Sequence, residues 1–291
     1  MTASTPDLLP PERTGSAAGP ELLERRQLFG PTEVDPALSV RVDREEIAGV
    51  NSLTISGGEA ATVLYLHGGG FRMGSPEAYT AYAARMAAGA GVQLVLPRYR
   101  LAPEHPFPAG LRDVAAVYAE LSARRSGPVI VAGDSAGAAL ATAVASISVS
   151  RNAPVSGLML LSPWLDLRST SEFFTTSTDP LFSLETARSA REDYLQGVEA
   201  DNPLASPLLA DHSGFPPTLI QVGAAESLVG DALAMARSLA ESDVSCTLEI
   251  LAGQGHTWPL VAPESAASAA AVESNVRFLR AVHEGRLSFD T

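Results

Sequence analysis

The chain has 291 residues, enough for one large α/β domain with an ample core, and 46% hydrophobic with 18% charged residues describes an ordinary globular protein. A formal net charge of −13 repels nucleic acid and anionic membrane surfaces, and a single cysteine, Cys246, excludes an internal disulfide. The opening "MTASTPDLLPPERTG" has no basic region followed by an apolar one, and no apolar run approaches the length of a membrane span, so a cytoplasmic protein without nucleic-acid or membrane partners is expected.

In chain order, residues 1–20 are rich in Pro, Ser, Ala and Gly and read as an irregular lead. "PELLERRQLF" from Pro20 predicts a short amphipathic helix, and "LSVRVDREEIAGVNSLTIS" predicts two antiparallel strands. Apolar strands then alternate with helical patterns. The strands begin at Ala61, Val92, Pro128, Gly157, Thr218 and Thr247, and the patterns between them include "AYTAYAARMAAGA", "SAGAALATAVASIS" and "GDALAMARSLAES". Continuous apolar strands separated by helices imply a mostly parallel sheet covered on both faces. The rhythm breaks between Leu167, where one strand is expected to end, and Thr218. A stretch of about fifty residues is too long for an unstructured loop, so it reads as a helical insertion over the C-terminal edge of the sheet.

Four features carry chemistry. Gly133-Asp134-Ser135-Ala136-Gly137 lies between an apolar strand and a helix, the context of a nucleophile elbow, whose sharp turn leaves no room for side chains at Gly133 and Gly137. "HGGGFRMGS", His67 to Ser75, exposes backbone N–H groups that can donate to an oxyanion. Serine needs a base. Of the five histidines, His256 in "LAGQGHTWPL" alone combines a post-strand loop with a late chain position; His67, His105, His212 and His283 do not. An acid to orient His256 should follow the preceding strand, where "TLIQVGAAESLVGDAL" offers Glu226 and Asp231. Glu226 is favoured, because Asp231 reads as an N-cap or first-turn residue. The histidines and Cys246 do not fall at metal-ligand spacings, and the glycine loop lacks the marks of a nucleotide site, so neither a metal nor a cofactor is expected.

Together, "YLHGGGFRMGS", "PRYRLAPEHPFPAGLRD", "VAGDSAGAALA", "LLSPWLDL", "NPLASPLLADHSGFPPTLIQVG" and "GQGHTWPL" resemble the motifs of the hormone-sensitive lipase branch of the α/β-hydrolases, its bacterial esterases in particular. The resemblance runs from about Ala61 to His283. It implies an α/β-hydrolase fold, a mostly parallel sheet flanked by helices. The catalytic domain would comprise residues 46–168 and 203–291, with an N-terminal cap segment and first strand in 1–45 and a helical cap insertion in 169–202. It implies a serine carboxylesterase acting through an acyl-enzyme on Ser135, with His256 as base, Glu226 as acid, and Gly68, Gly69 and Ala136 as oxyanion donors. In this chain Glu226 stands where the family often has Asp. Phe71, Arg72 and Phe182 are expected in the substrate pocket, with Phe29, Phe173, Phe174 and Leu181 as further cap residues. The expected partner is a small-molecule ester of a small or medium acyl group, and the family carries an expectation of a homodimer through the last strand. A dedicated deacetylase, amidase, lactonase or acyltransferase would use the same machinery, and a non-catalytic small-molecule-binding protein would keep only the pocket.

Overall fold

A computed structural model describes residues 9–124 and 127–286; residues 1–8 of the expected N-terminal cap segment lie outside the described residues. In chain order the elements are α1 (Pro20–Gln27), β1 (Arg41–Ile47), β2 (Val50–Ser56), β3 (Thr62–Leu66), α2 (Thr80–Ala90), β4 (Gln93–Pro97), α3 (Ala109–Arg124), β5 (Val129–Asp134), α4 (Ala136–Ser150), β6 (Gly157–Leu161), α5 (Phe173–Thr176), α6 (Leu184–Leu195), β7 (Thr218–Gly223), α7 (Val229–Glu241), β8 (Cys246–Leu251), α8 (Trp258–Val261) and α9 (Ala266–His283). The strands form one 8-stranded sheet in the order β1-β2-β4-β3-β5-β6-β7-β8, antiparallel across β1–β2–β4 and parallel from β4 to β8.

The sheet is parallel because its central strands have no polar face to turn to water. Every residue of β3, β4, β5, β6 and β7 is buried, and such strands need helices on both sides. Alternate side chains serve opposite faces. Leu64, Leu66, Val131, Leu158, Leu160 and Ile220 join the core under α3, α4 and α7, whereas Val63, Tyr65, Ile130, Met159 and Leu219 join the core under α2 and α9. The small residues of α4 let it run buried along most of its length directly beneath the sheet.

Two boundaries differ from expectation. The strand from Gly157 ends at Leu161 rather than near Leu167, because Ser162 turns with a φ of 46° and "PWLDL" continues as a buried loop. Its apolar residues fill the core without pairing in the sheet, which a hydrophobic run alone cannot reveal. The boundary at residue 45 falls inside β1, which pairs along its whole length with β2. Between β6 and β7 the chain forms α5, α6 and a turn of 3-10 helix at Pro207–Leu209, with no strand.

Candidate active site

The parallel strands deliver their C-terminal ends to one edge of the sheet, where ligands bind in open α/β folds. Ser135 follows β5 at φ 53° and ψ −121°, a strained conformation for a non-glycine residue that costs about 1–3 kcal/mol and that the surroundings must enforce. The enforcement is visible at Gly137, where a Cβ would stand 2.0 Å from the Leu66 carbonyl oxygen and 2.5 Å from that of His67. Gly133 is equally confined, 2.5 Å from the Gly137 carbonyl oxygen. Gly137→Ala therefore pushes β3 away from the elbow. We expect it to lower the unfolding free energy by about 3 kcal/mol, read by urea denaturation.

His256 lies in the loop between β8 and α8. Its Nε2 is 2.9 Å from Ser135 Oγ and its Nδ1 is 2.9 Å from Glu226 Oε2. Glu226 is fully enclosed. Its Oε1 accepts from Ser162 Oγ–H at 2.7 Å and from the Gly223 N–H at 2.6 Å. Ser162 in turn accepts the Thr257 N–H, so the turn after β6 braces Glu226 and the loop of His256 together. Burial alone would push the His256 pKa down. The hydrogen bond and charge of Glu226, with the charges of Asp179 and Asp134, outweigh it and hold the pKa above the usual histidine value.

Asp231, the alternative acid, is placed elsewhere. It sits in the first turn of α7, and its Oδ2 accepts the Leu165 and Asp166 N–H groups at 2.7 and 3.0 Å, fixing the loop after β6. Burial raises its pKa to about 7, partly offset by those two bonds.

The glycine loop departs from expectation at one position. The Gly68 N–H points inward and donates to Asp134 Oδ1 at 3.0 Å and to Tyr79 Oη at 3.1 Å, so it is not free for an oxyanion. Gly69, at φ 111°, and Gly70 turn the loop back towards Ser135, and both line the cleft beside it. No hydrogen-bond partner among the described residues takes the N–H of Gly69, Gly70 or Ala136. Gly70 was missed because the sequence shows three equivalent glycines, and only the partner of Gly68 tells them apart.

Asp134 was also missed. It is buried, accepts from Tyr65 Oη, Tyr79 Oη and the Gly68 N–H, and so ties the glycine loop to the elbow. Burial raises its pKa to about 6, against the lowering effect of the two tyrosine hydroxyls. His67 packs on Tyr99 with ring centroids 4.4 Å apart, and burial lowers its pKa to about 4, so it stays neutral as a structural residue of the loop.

A cleft of about 440 Å³ opens over Ser135 and His256. Of the expected pocket residues, Arg72, Phe182, Phe29 and Leu181 line it; Phe71, Phe173 and Phe174 do not. Phe71 is turned away and stacks on Tyr194 of α6 with centroids 3.8 Å apart, anchoring that helix. Arg72 lines the cleft, but its Nη1 is held by Asp193 Oδ2 at 2.7 Å and Ser189 Oγ at 2.9 Å, both on α6. From the other side Arg26 of α1 donates to the Arg72 carbonyl oxygen and to both oxygens of Glu104. The cleft is thus walled by α1 and α6, each latched to the loop after β3.

One carboxylate near His256 comes from the segment between α5 and α6. Asp179, Glu226 and His256 place ligand-type atoms within 4.8 Å of one another, yet each is engaged inside the protein, His256 Nδ1 by Glu226 and Asp179 by the His256 and Leu181 N–H groups. No helix among the described residues is long and apolar enough to cross a membrane.

A family model described as alpha/beta hydrolase fold matches residues 63–260. An acetyl-hydrolase of Streptomyces hygroscopicus is 36% identical over 227 residues, covering 76% of this chain and 76% of that protein. An esterase of Acinetobacter venetianus is 33% identical over 235 residues, covering 78% of this chain and 77% of that one. Among solved structures, an esterase from the bacterial hormone-sensitive lipase family matches with a TM-score of 0.86 at 34% identity, over 91% of this chain and 93% of that chain.

Proposed function

The chain belongs to the bacterial hormone-sensitive lipase branch of the α/β-hydrolase fold family, and from that premise we propose that Ser135, His256 and Glu226 are its catalytic triad. It is a carboxylic ester hydrolase. The observation that carries the residue assignment is the unbroken chain Ser135 Oγ–His256 Nε2 and His256 Nδ1–Glu226 Oε2, beside the N–H groups of Gly69 and Gly70, which line the cleft, and that of Ala136, next in the chain to Ser135, none of which has a hydrogen-bond partner among the described residues.

Ser135 Oγ attacks the ester carbonyl carbon as its proton passes to His256 Nε2. Glu226 accepts the Nδ1–H throughout, fixing the tautomer and stabilising the imidazolium. Gly69, Gly70 and Ala136 donate to the oxyanion of the tetrahedral intermediate. Such a donor is typically worth about a hundred- to a thousand-fold in rate. Collapse breaks the bond to the alcohol oxygen, which leaves with the proton from His256. A water molecule then gives a proton to His256 and attacks the acyl-enzyme, releasing the acid and restoring Ser135.

The cleft supports esters of small or medium acyl groups. Leu181 and Phe182 of the inserted segment and Phe29 of the N-terminal segment close its walls, as expected of a cap built from both. A panel of p-nitrophenyl esters from acetate to palmitate tests this. The expected kcat/KM peaks between two and eight acyl carbons; a peak at palmitate overturns the size assignment. The outer edge of β8, with Ile250 exposed and no strand beyond it among the described residues, supports a homodimer through that strand.

A further inference from the structure

Asp179 occupies a position that the triad does not account for. It lies in "STDPLF", between α5 and α6, far in sequence from both the acid and the base. Its side chain is nevertheless buried, and its Oδ2 accepts the backbone N–H of His256 at 3.0 Å. Its Oδ1 accepts the Leu181 N–H at 2.9 Å, which fixes the carboxylate in place.

The segment that carries Asp179 is gripped around Glu226. Ser177 Oγ accepts the Asp179 N–H and donates to the Ala225 carbonyl oxygen at 2.7 Å, one residue before the acid. Ser227 Oγ, one residue after it, donates to the Phe182 carbonyl oxygen at 2.8 Å. The Phe182 ring stacks over the His256 imidazole with centroids 5.2 Å apart and planes at 25°. The stretch Ser177–Phe182 therefore touches both triad loops, and the two loops touch each other through the Ala225 N–H and the Gln254 carbonyl oxygen.

We propose that Asp179 is a positioning residue for the base: the inserted segment delivers its carboxylate to the His256 backbone, so that docking of this wall of the cleft sets the orientation of the imidazole. The inference rests on the triad assignment and extends it from three residues to the segment that covers them. A backbone N–H in this buried loop needs an acceptor, and an unmade bond there costs about 1–3 kcal/mol. The acceptor here is also a carboxylate whose charge reaches the His256 ring, so it acts on His256 twice, by geometry and by charge.

The two actions separate experimentally. The groups whose charges reach the His256 ring are Glu226 from the loop after β7, Asp134 from β5 and Asp179 from the inserted segment. Removing the charge of Asp179 leaves the imidazolium less stabilised, so the pKa of His256 falls and the acid limb of kcat/KM moves to lower pH. Asp179→Asn keeps an acceptor for the His256 N–H and loses the charge, whereas Asp179→Ala loses both.

The test uses the full chain with p-nitrophenyl butyrate between pH 5 and 9, alongside thermal unfolding. The wild-type acid limb is expected above pH 6.5, the ordinary histidine value, because its pKa is raised. Asp179→Ala is expected to lose about 100-fold in kcat, the scale of a small misplacement of a catalytic group, with KM within about 3-fold. Asp179→Asn is expected to recover most of kcat while keeping the displaced acid limb. If Asp179→Ala keeps the wild-type kcat and both variants keep the wild-type limb, the inference is overturned, whatever happens to their melting temperatures. Should Asp179→Ala fail to fold, the limb of Asp179→Asn decides alone. Ser135→Ala separates the two readings. If it still turns over ester, the triad assignment falls; if it is inactive while the Asp179 variants behave as wild type, only the positioning role falls.

Discussion

Ser135→Ala is expected to reduce hydrolysis of p-nitrophenyl butyrate by about four to six orders of magnitude, the cost of removing the nucleophile of a triad. The effect is this large because no other hydroxyl is hydrogen-bonded to His256 Nε2 among the described residues. The unpartnered N–H groups of Gly69, Gly70 and Ala136 remain in the variant, so a small residual rate above the uncatalysed one is expected, with substrate binding little changed. Covalent labelling by a sulfonyl fluoride, monitored by intact mass, should vanish in the same variant. Labelling that persists at the wild-type rate would mean that a different residue is the nucleophile.

Glu226→Gln is expected to lower kcat by about three to four orders of magnitude, because an amide cannot hold the Nδ1–H tautomer or stabilise the imidazolium. Asp231→Asn should stay within about tenfold of wild type, since Asp231 contacts the Leu165 and Asp166 backbone and not His256. Asp231→Asn has its own signature in stability. The folded-state pKa of Asp231 is about 7, above the unfolded value of 3.8, so its contribution to stability is present below pH 3.8 and is lost as pH rises through 7. The variant escapes that loss. Its unfolding midpoint should improve relative to wild type between pH 5 and pH 8. A large drop in kcat for Asp231→Asn with an active Glu226→Gln would exchange their roles.

The sheet was legible because its signal is local. Each central strand is a short apolar run buried on both faces, and each appears within a residue or two of its expected start. The elbow was legible for the same reason, since Gly133 and Gly137 flank Ser135 in sequence and meet each other, Leu66 and His67 in space. Glu226 and His256 followed from their places after the last two strands. What escaped depends on partners far away in the chain. Gly68 looks like its two neighbours until Asp134, 66 residues later, takes its N–H. Phe71 is an aromatic residue in a candidate pocket loop until Tyr194 draws it away. Asp179 gives no signal at all, because its relevance lies in a backbone bond to a residue 77 positions on.

The separation of Ser135 and His256, 121 positions apart along the chain and joined only across the sheet, has a bearing on how the protein is made. Ser135 is synthesised early, between β5 and α4, whereas His256 follows β8, the last strand and an edge strand. A chain that ended before β8 would carry the elbow but lack the histidine that faces the Ser135 hydroxyl. Under the proposed triad, no chain that stops short of β8 and the loop after it holds both the nucleophile and its base.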